Sequence, residues 1–125
     1  MGLFRRLFKP NIKKMERKKD VNGLVKAMWF DDLNIRIDSI KALDRIGPDA
    51  KQAVPALLQA LRDTNDIIRE RAVCALGQIK DERAVEPLIK SLSDKYIRRE
   101  AVYALGEIGD SRTVQPLIGL LEVPS

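Results

Sequence analysis

The chain lacks histidine altogether, and its 125 residues include a single cysteine, Cys74. Histidine is the commonest side chain for acid–base chemistry near neutral pH and the commonest ligand of transition metals. Without it, a metal site would need carboxylates alone, and the sequence has no aspartate-rich calcium loop and no glycine-rich phosphate loop. A nucleophilic Cys74 would need a base that histidine usually provides. We therefore expect no enzymatic activity and no cofactor.

Long apolar segments are also missing. Because no run of about 18 apolar residues is present, the sequence predicts no membrane span. Residues 1–8 have no apolar core long enough for a secretory signal. One cysteine cannot form an internal disulfide, which is typical of proteins in a reducing compartment. Together these absences predict a cytoplasmic protein.

Positive charge is concentrated at one end of the chain. Residues 1–19 contain eight basic residues and one acidic residue, a net charge of +7. Residues 20–125 contain the other 15 basic residues and 17 acidic residues, a net charge of −2. Electrostatic attraction to an acidic partner would therefore belong to the first segment.

What the sequence does contain is an internal repeat. Residues 68–79, Ile-Arg-Glu-Arg-Ala-Val-Cys-Ala-Leu-Gly-Gln-Ile, return 29 positions later at 97–108 as Ile-Arg-Arg-Glu-Ala-Val-Tyr-Ala-Leu-Gly-Glu-Ile. Residues 83–89 return at 112–118 with the same shift, and an earlier, less regular copy at 35–46 aligns at a shift of 33. Self-similarity at a period near 30 residues is the signature of a stacked repeat array.

Each copy predicts a pair of helices. Apolar residues from Ile68 to Ile79 recur at helical spacing, and Asp81 can cap a second helix over 82–92 in which Pro87 falls early, where proline costs least. Extra residues of the earlier copy fall in predicted turns at 47–53 and 62–67. We predict an all-α fold, an alpha solenoid of stacked helix hairpins. Its units are a half repeat at 20–30 and three full repeats at about 33–62, 66–93 and 95–122, within a domain spanning 20–125.

The frame Arg-x-x-Ala-x-x-Ala-Leu-Gly-x-Ile, followed by Asp-Glu-Arg-Ala-Val-Glu-Pro-Leu-Ile-Lys, resembles the short HEAT-like repeats named after phycobilisome lyases. It is also similar to designed alpha-repeat binding proteins derived from that family. The resemblance covers about 20–122, and Asp44 departs from it because later copies have Gly77 and Gly106 there. It implies a non-enzymatic scaffold that binds another protein. An accessory subunit of a lyase-like enzyme is an alternative.

Positions that vary between copies form rows on the exposed side of the first helices. In the designed relatives the matching positions are varied to make binding surfaces, so the resemblance implies a partner site centred on Tyr96, Arg99 and Tyr103. Tyrosine and arginine are enriched at interface hot spots. The alternative is that nothing constrains these positions. The candidate partner-binding residues are Ile37, Lys41, Ile67, Glu70, Arg71, Cys74, Gln78, Tyr96, Arg99, Glu100, Tyr103 and Glu107.

Arginine also recurs near the start of each first helix, at Arg36, Arg69 and Arg98, with aspartates in the preceding turns. We interpret this pattern as a structural ladder in which bidentate Asp–Arg pairs join successive repeats. An anion-binding ladder is the alternative.

The two ends of the chain raise separate expectations. The basic amphipathic segment 1–19 is predicted to cap the solenoid with its apolar residues, which are Leu3, Phe4, Leu7, Phe8, Ile12 and Met15. The alternatives are contact with a membrane surface or with nucleic-acid phosphates. At the other end, apolar residues 117–123 lack a polar capping helix, so self-association there is a further expectation.

Overall fold

The computed structural model describes residues 9–109, and within this range the chain is all-helical, without a β-strand. The helices are α1 (Ile12–Arg17), α2 (Val21–Ala27), α3 (Leu33–Ile46), α4 (Val54–Ala60), α5 (Asp66–Ile79), α6 (Val85–Ser91) and α7 (Arg98–Ile108). Two 3₁₀ segments, Gly47–Ala53 and Glu82–Ala84, precede α4 and α6. Long helices therefore alternate with short ones, as the predicted hairpins require.

Helix starts are set by short polar side chains. An aspartate or asparagine accepts hydrogen bonds from backbone N–H groups of the first turn at Asn11, Asp20, Asp32, Asn65 and Asp81. These N–H groups have no partner inside the helix, so each cap stabilises the start of its helix. At the other end of α7, Gly109 adopts the left-handed conformation with φ of 71°.

The second helices differ from the prediction. The helix expected over 82–92 is divided into the 3₁₀ turn Glu82–Ala84 and α6, whose third residue is Pro87. Proline is tolerated in this first turn because the N–H that it lacks would have had no helical partner. The segment 47–53, predicted as a turn, is a 3₁₀ helix that buries Ala50 and Ala53. Those buried alanines hold the inserted residues against the core.

The solenoid is built by the long helices, which pack side by side in chain order. α3 contacts α5, and α5 contacts α7, while α4 packs against α5 and α6 against α7. The predicted apolar stripe of α5 is buried, namely Ile68, Ala72, Ala75, Leu76 and Ile79. Val73 and Gly77 are buried as well. A middle helix has neighbours on both sides, so its buried arc is wider than one stripe.

The long helices α5 and α7 approach each other closely at Gly77. A Cβ atom added there would lie 2.8 Å from the Cα and 2.9 Å from the Cβ of Ala104 in α7. Real Cβ atoms do not approach other carbon atoms so closely, so glycine is required by packing at this position. The repeat-equivalent Gly106 has no atom of the described residues within 4 Å of such a Cβ.

The first two helices pack against α3. Ile12 and Met15 of α1 contact the hydrophobic core. Arg45 of α3 donates two hydrogen bonds of 2.8 Å to the carboxylate of Glu16, and Lys19 forms an ion pair of 2.9 Å with Asp49.

The remaining expectations about the ends fall outside the described residues. They concern the predicted cap residues Leu3, Phe4, Leu7 and Phe8, the second helix of the last repeat, and the apolar segment 117–123. The division at residue 19 into a cap and a repeat domain stays a prediction.

The expected ladder of bidentate Asp–Arg pairs is wrong in form. Arg69 donates to Asp94 of the following turn at 3.1 Å, and its Nη1 donates to backbone carbonyls at residues 63 and 64. Arg98 donates instead to the Leu92 carbonyl, and Arg36 Nε has no hydrogen-bond partner among residues 9–109. One oxygen of Asp63 and one of Asp94 accept from N–H groups of their own turns, and Arg69 and Arg98 donate to turn carbonyls.

The glycine contact generates a stability prediction. We expect Gly77→Ala to lower the free energy of unfolding by about 1–3 kcal/mol, because the added methyl group overpacks the α5–α7 contact. This cost exceeds the stability gained from the higher helix propensity of alanine. Gly106→Ala is the matched control, and we expect it to raise stability by up to about 1 kcal/mol. Urea unfolding of both variants measures the difference. Equal effects would show that residue 77 is not limited by packing.

The Arg45–Glu16 contact generates a pH prediction. The hydrogen bonds from Arg45 lower the pKa of Glu16 below its ordinary value of 4.5. A carboxyl with a lowered pKa stabilises the fold above that value, and the contribution is lost as the pH falls through the folded pKa. Because Arg45 is 55% exposed, solvent reduces the contribution to about 0.5–1 kcal/mol.

Glu16→Gln should therefore lower the melting temperature at pH 7 and approach the parent protein at pH 3. Glu86→Gln, at an exposed position on α6, is the control and should change little. A stability difference for Glu16→Gln that does not change between pH 7 and pH 3 would contradict the assignment.

Candidate partner-binding face

The twelve candidate residues lie on one side of α3, α5 and α7, which we call the outer face. On α5 they recur at positions 67, 70, 71, 74 and 78, a helical spacing that places them opposite the buried stripe. The more exposed members are Ile67, Gln78, Tyr96, Arg99, Tyr103 and Glu107, and the partly buried ones are Ile37, Lys41, Glu70, Arg71, Cys74 and Glu100. Each therefore remains at least partly accessible.

Large apolar side chains are exposed on or beside this face. Tyr96 and Tyr103 are 70% and 73% exposed, and Ile67 is 46% exposed. Trp29 and Leu33, at 49% and 37%, were not among the candidates. Trp29 lies in the turn after α2, and Leu33 is the first residue of α3, near the helix start that corresponds to the positions of Ile67 and Tyr96. Alignment of helix starts across the repeats was the signal that could have identified Leu33.

An open groove of about 490 Å³ lies between α5 and α7. Its lining residues are Asp44, Cys74, Gly77, Gln78, Arg99, Glu100, Tyr103, Ala104 and Glu107. Gly77 and Ala104, the two smallest lining residues, are both buried, so they form its floor. The groove thus brings together six of the twelve candidates. Ile37, Lys41, Ile67, Glu70, Arg71 and Tyr96 lie outside it.

The groove carries more negative than positive charge. The carboxylates of Asp44, Glu100 and Glu107 line it, with Arg99 as the cation. Burial raises the pKa of Asp44, and the nearby cations Arg71 and Arg45 oppose the shift. Glu100 Oε2 is buried with no hydrogen-bond donor within the described part of the chain. Asp44 was not a candidate, although its departure from the repeat pattern was visible in the sequence.

Cys74 is a half-buried thiol at the centre of the outer face. Burial raises its pKa, and the carboxylates of Asp44, Glu70 and Glu100 raise it further, against the opposing charge of Arg71. The thiol is therefore protonated near neutral pH, and the thiolate that nucleophilic catalysis requires is disfavoured.

Residues 9–109 hold no group of three or more Cys, Asp or Glu side chains arranged to bind a metal ion. None of the helices in this range is long and apolar enough to cross a membrane.

The raised pKa predicts slow chemistry at Cys74. We expect iodoacetamide to alkylate the folded protein at pH 8 roughly tenfold more slowly than the urea-unfolded chain, because the reactive thiolate is scarce and half-buried. A Cys74→Ala, Gln78→Cys variant carries its thiol at an exposed position of the same face and should react at nearly the unfolded rate. Fast alkylation of native Cys74 would contradict the assigned pKa shift.

Comparison with known proteins agrees with this architecture. The family model for HEAT repeats matches residues 54–125, and the model for the PBS lyase HEAT-like repeat matches residues 35–63. The phycocyanobilin lyase subunit alpha of Microchaete diplosiphon is 39% identical over 86 residues, which cover 62% of this chain and 29% of that protein. The chain therefore spans under a third of the length of this relative.

HEAT repeats generally mediate protein interactions, and their fold is typically non-catalytic. The matched models together cover most of the described helices, and the first of them alone covers more than half of the chain. With the stacked hairpins of the structure, they show that the chain belongs to the HEAT repeat family.

Proposed function

We propose that the protein is a non-enzymatic scaffold that binds a partner protein through the outer face, centred on Tyr96, Arg99 and Tyr103. The observation that carries this proposal is the exposure of two tyrosines, Tyr96 at 70% in the turn before α7 and Tyr103 at 73% on α7, whose other side is fixed in the core. Large aromatic groups on a rigid helix supply contact area with little loss of side-chain entropy.

Helix geometry supports the same patch. Arg99 and Tyr103 are one helical turn apart on α7, so their side chains lie on the same side of the helix. Both line the groove, which a partner side chain could enter. Tyr96 precedes α7 and lies outside the groove lining, at the position that corresponds to Ile67 in the preceding repeat.

Similarity to a lyase subunit favours one variant of this function. The related protein is named as a subunit, so the chain could act as the accessory subunit of a lyase-like enzyme. The raised pKa of Cys74 supports a binding role over a catalytic one. We place the scaffold in the cytoplasm, a proposal supported by its free cysteine.

The basic segment supports a second candidate function, a peripheral adaptor that contacts a membrane surface or nucleic acid. In α1, Ile12 and Met15 pack against the core, whereas Lys13, Lys14 and Arg17 are exposed. Such a cationic surface could attract phosphate groups. The same arrangement suits a capping helix, so binding has to be measured.

An affinity capture followed by reconstitution tests the proposal. Protein captured by the intact chain from a lysate of the source organism is purified, and its Kd is measured by calorimetry. We expect the Tyr96→Ala, Arg99→Ala, Tyr103→Ala variant to bind at least about 30-fold more weakly, as for hot-spot residues. The control carries Gln59→Ala, Glu86→Ala and Lys90→Ala on α4 and α6, and should bind normally.

Two outcomes would contradict the proposal. Equal affinity of the outer-face variant and the control would show that the partner binds elsewhere. Recovery of nucleic acid or lipid, lost on replacing Lys13, Lys14 and Arg17 by glutamine, would move the function to the basic segment.

A further inference from the structure

The groove between α5 and α7 has the form and charge of a socket for one side chain. The groove is deep because its base is formed by Gly77 and Ala104, two small residues that pack closely against each other. Its volume of about 490 Å³ falls in the range of small-ligand pockets, about 300–1,000 Å³. Larger side chains rise on both sides, Gln78 from α5 and Tyr103 from α7.

Resting on the proposed function, we propose that this groove receives an arginine side chain from a basic segment of the partner protein. The guanidinium lies among the carboxylates of Asp44, Glu100 and Glu107. The ring of Tyr103 flanks it. The partner residue thus supplies donors and positive charge in addition to those that Arg99 contributes to the lining.

The first observation that supports a cationic ligand is that carboxylate oxygens lining the groove lack hydrogen-bond donors in the described part of the chain. Within residues 9–109, none of the carboxylates of Asp44, Glu100 and Glu107 forms a hydrogen bond or an ion pair, and Glu100 Oε2 is buried. A buried acceptor without a donor costs free energy, which a bound donor recovers. Three carboxylates line the groove against one lining cation, Arg99, while Arg71 and Arg45 act on Asp44 from outside the lining.

The position of Asp44 is an independent observation. The equivalent residues in the next two long helices are Gly77 and Gly106, and the first of these is held by close packing. In α3 the same position carries a carboxylate that is partly buried at the edge of the groove. The repeat framework does not need a charge there, and desolvation makes it costly. A bound ligand of opposite charge would offset the free energy of desolvating the Asp44 carboxylate, which explains why a charged residue is present there.

Arginine fits this site better than lysine does. The guanidinium is planar, carries five N–H donors and is more weakly hydrated than an ammonium group. It can therefore donate to carboxylates from α3 and α7 together while one of its faces stacks on an aromatic ring. Tyr103 supplies such a ring in the lining of the groove.

A peptide titration of the full chain tests the inference. The probe is a fluorescein-labelled, acetylated 12-residue helical peptide of alanine and leucine with two arginines one turn apart. The comparison peptide has citrulline, the neutral isostere of arginine, in their place. We expect the citrulline peptide to bind at least tenfold more weakly in fluorescence anisotropy. In NMR spectra, the arginine peptide should shift the backbone amides of Cys74, Gln78 and Tyr103.

Protein variants locate the contact. Glu100→Gln with Glu107→Gln should weaken the arginine peptide about tenfold, and Asp44→Asn should weaken it further, with the melting temperature retained. Glu86→Gln, on α6 away from the groove, should leave binding unchanged. A lysine peptide that binds as tightly would overturn the choice of arginine, and equal binding of the citrulline peptide would overturn the inference altogether.

The partner-capture experiment separates this inference from the function on which it rests. If the captured partner loses affinity for the Tyr96, Arg99 and Tyr103 variant but not for the Glu100→Gln, Glu107→Gln variant, the outer face binds the partner and the arginine socket is wrong. If neither variant loses affinity, both the socket and the proposed function are wrong.

Discussion

The close packing of Gly77 against Ala104 is the contact on which the rest of the arrangement depends. It fixes how near α5 and α7 can come, and with that distance it fixes the width of the surface between them. The same two small residues form the groove floor. Core packing and surface shape are therefore two results of one contact, because a solenoid is so thin that the residue joining two helices lies directly beneath their exposed faces.

The repeat pattern predicted most of the fold. Identical framework residues at a fixed period identify stacked hairpins, and the apolar stripe of α5 is buried as its spacing indicates. The 3₁₀ segment Gly47–Ala53 was missed because inserted residues have no counterpart in the later copies. The arginine ladder was wrong for a different reason. Sequence shows which charges are near in the chain, but not that turn N–H groups use an oxygen of each aspartate and that turn carbonyls accept from Arg69 and Arg98.

The candidate face was only partly predictable. Helical spacing places Tyr103 and Arg99 on one side of α7, and repeat alignment places Cys74 and Gln78 on the corresponding side of α5. The groove also includes Asp44, which precedes Tyr103 by almost two repeats. Its participation depends on how three helices are stacked, and the missing donor at Glu100 depends on side-chain distances. Neither quantity is encoded in a local pattern.

The attachment of α1 has a consequence for how the first helix responds to its surroundings. Two ion pairs hold this part of the chain, Arg45 with Glu16 of α1 and Lys19, just after α1, with Asp49. Both pairs have exposed members, so dissolved salt screens them. The contacts of Ile12 and Met15 with the core are not weakened in that way. Rising ionic strength therefore weakens the polar part of this attachment and leaves the apolar part, so the hold on the basic segment depends on its ionic environment.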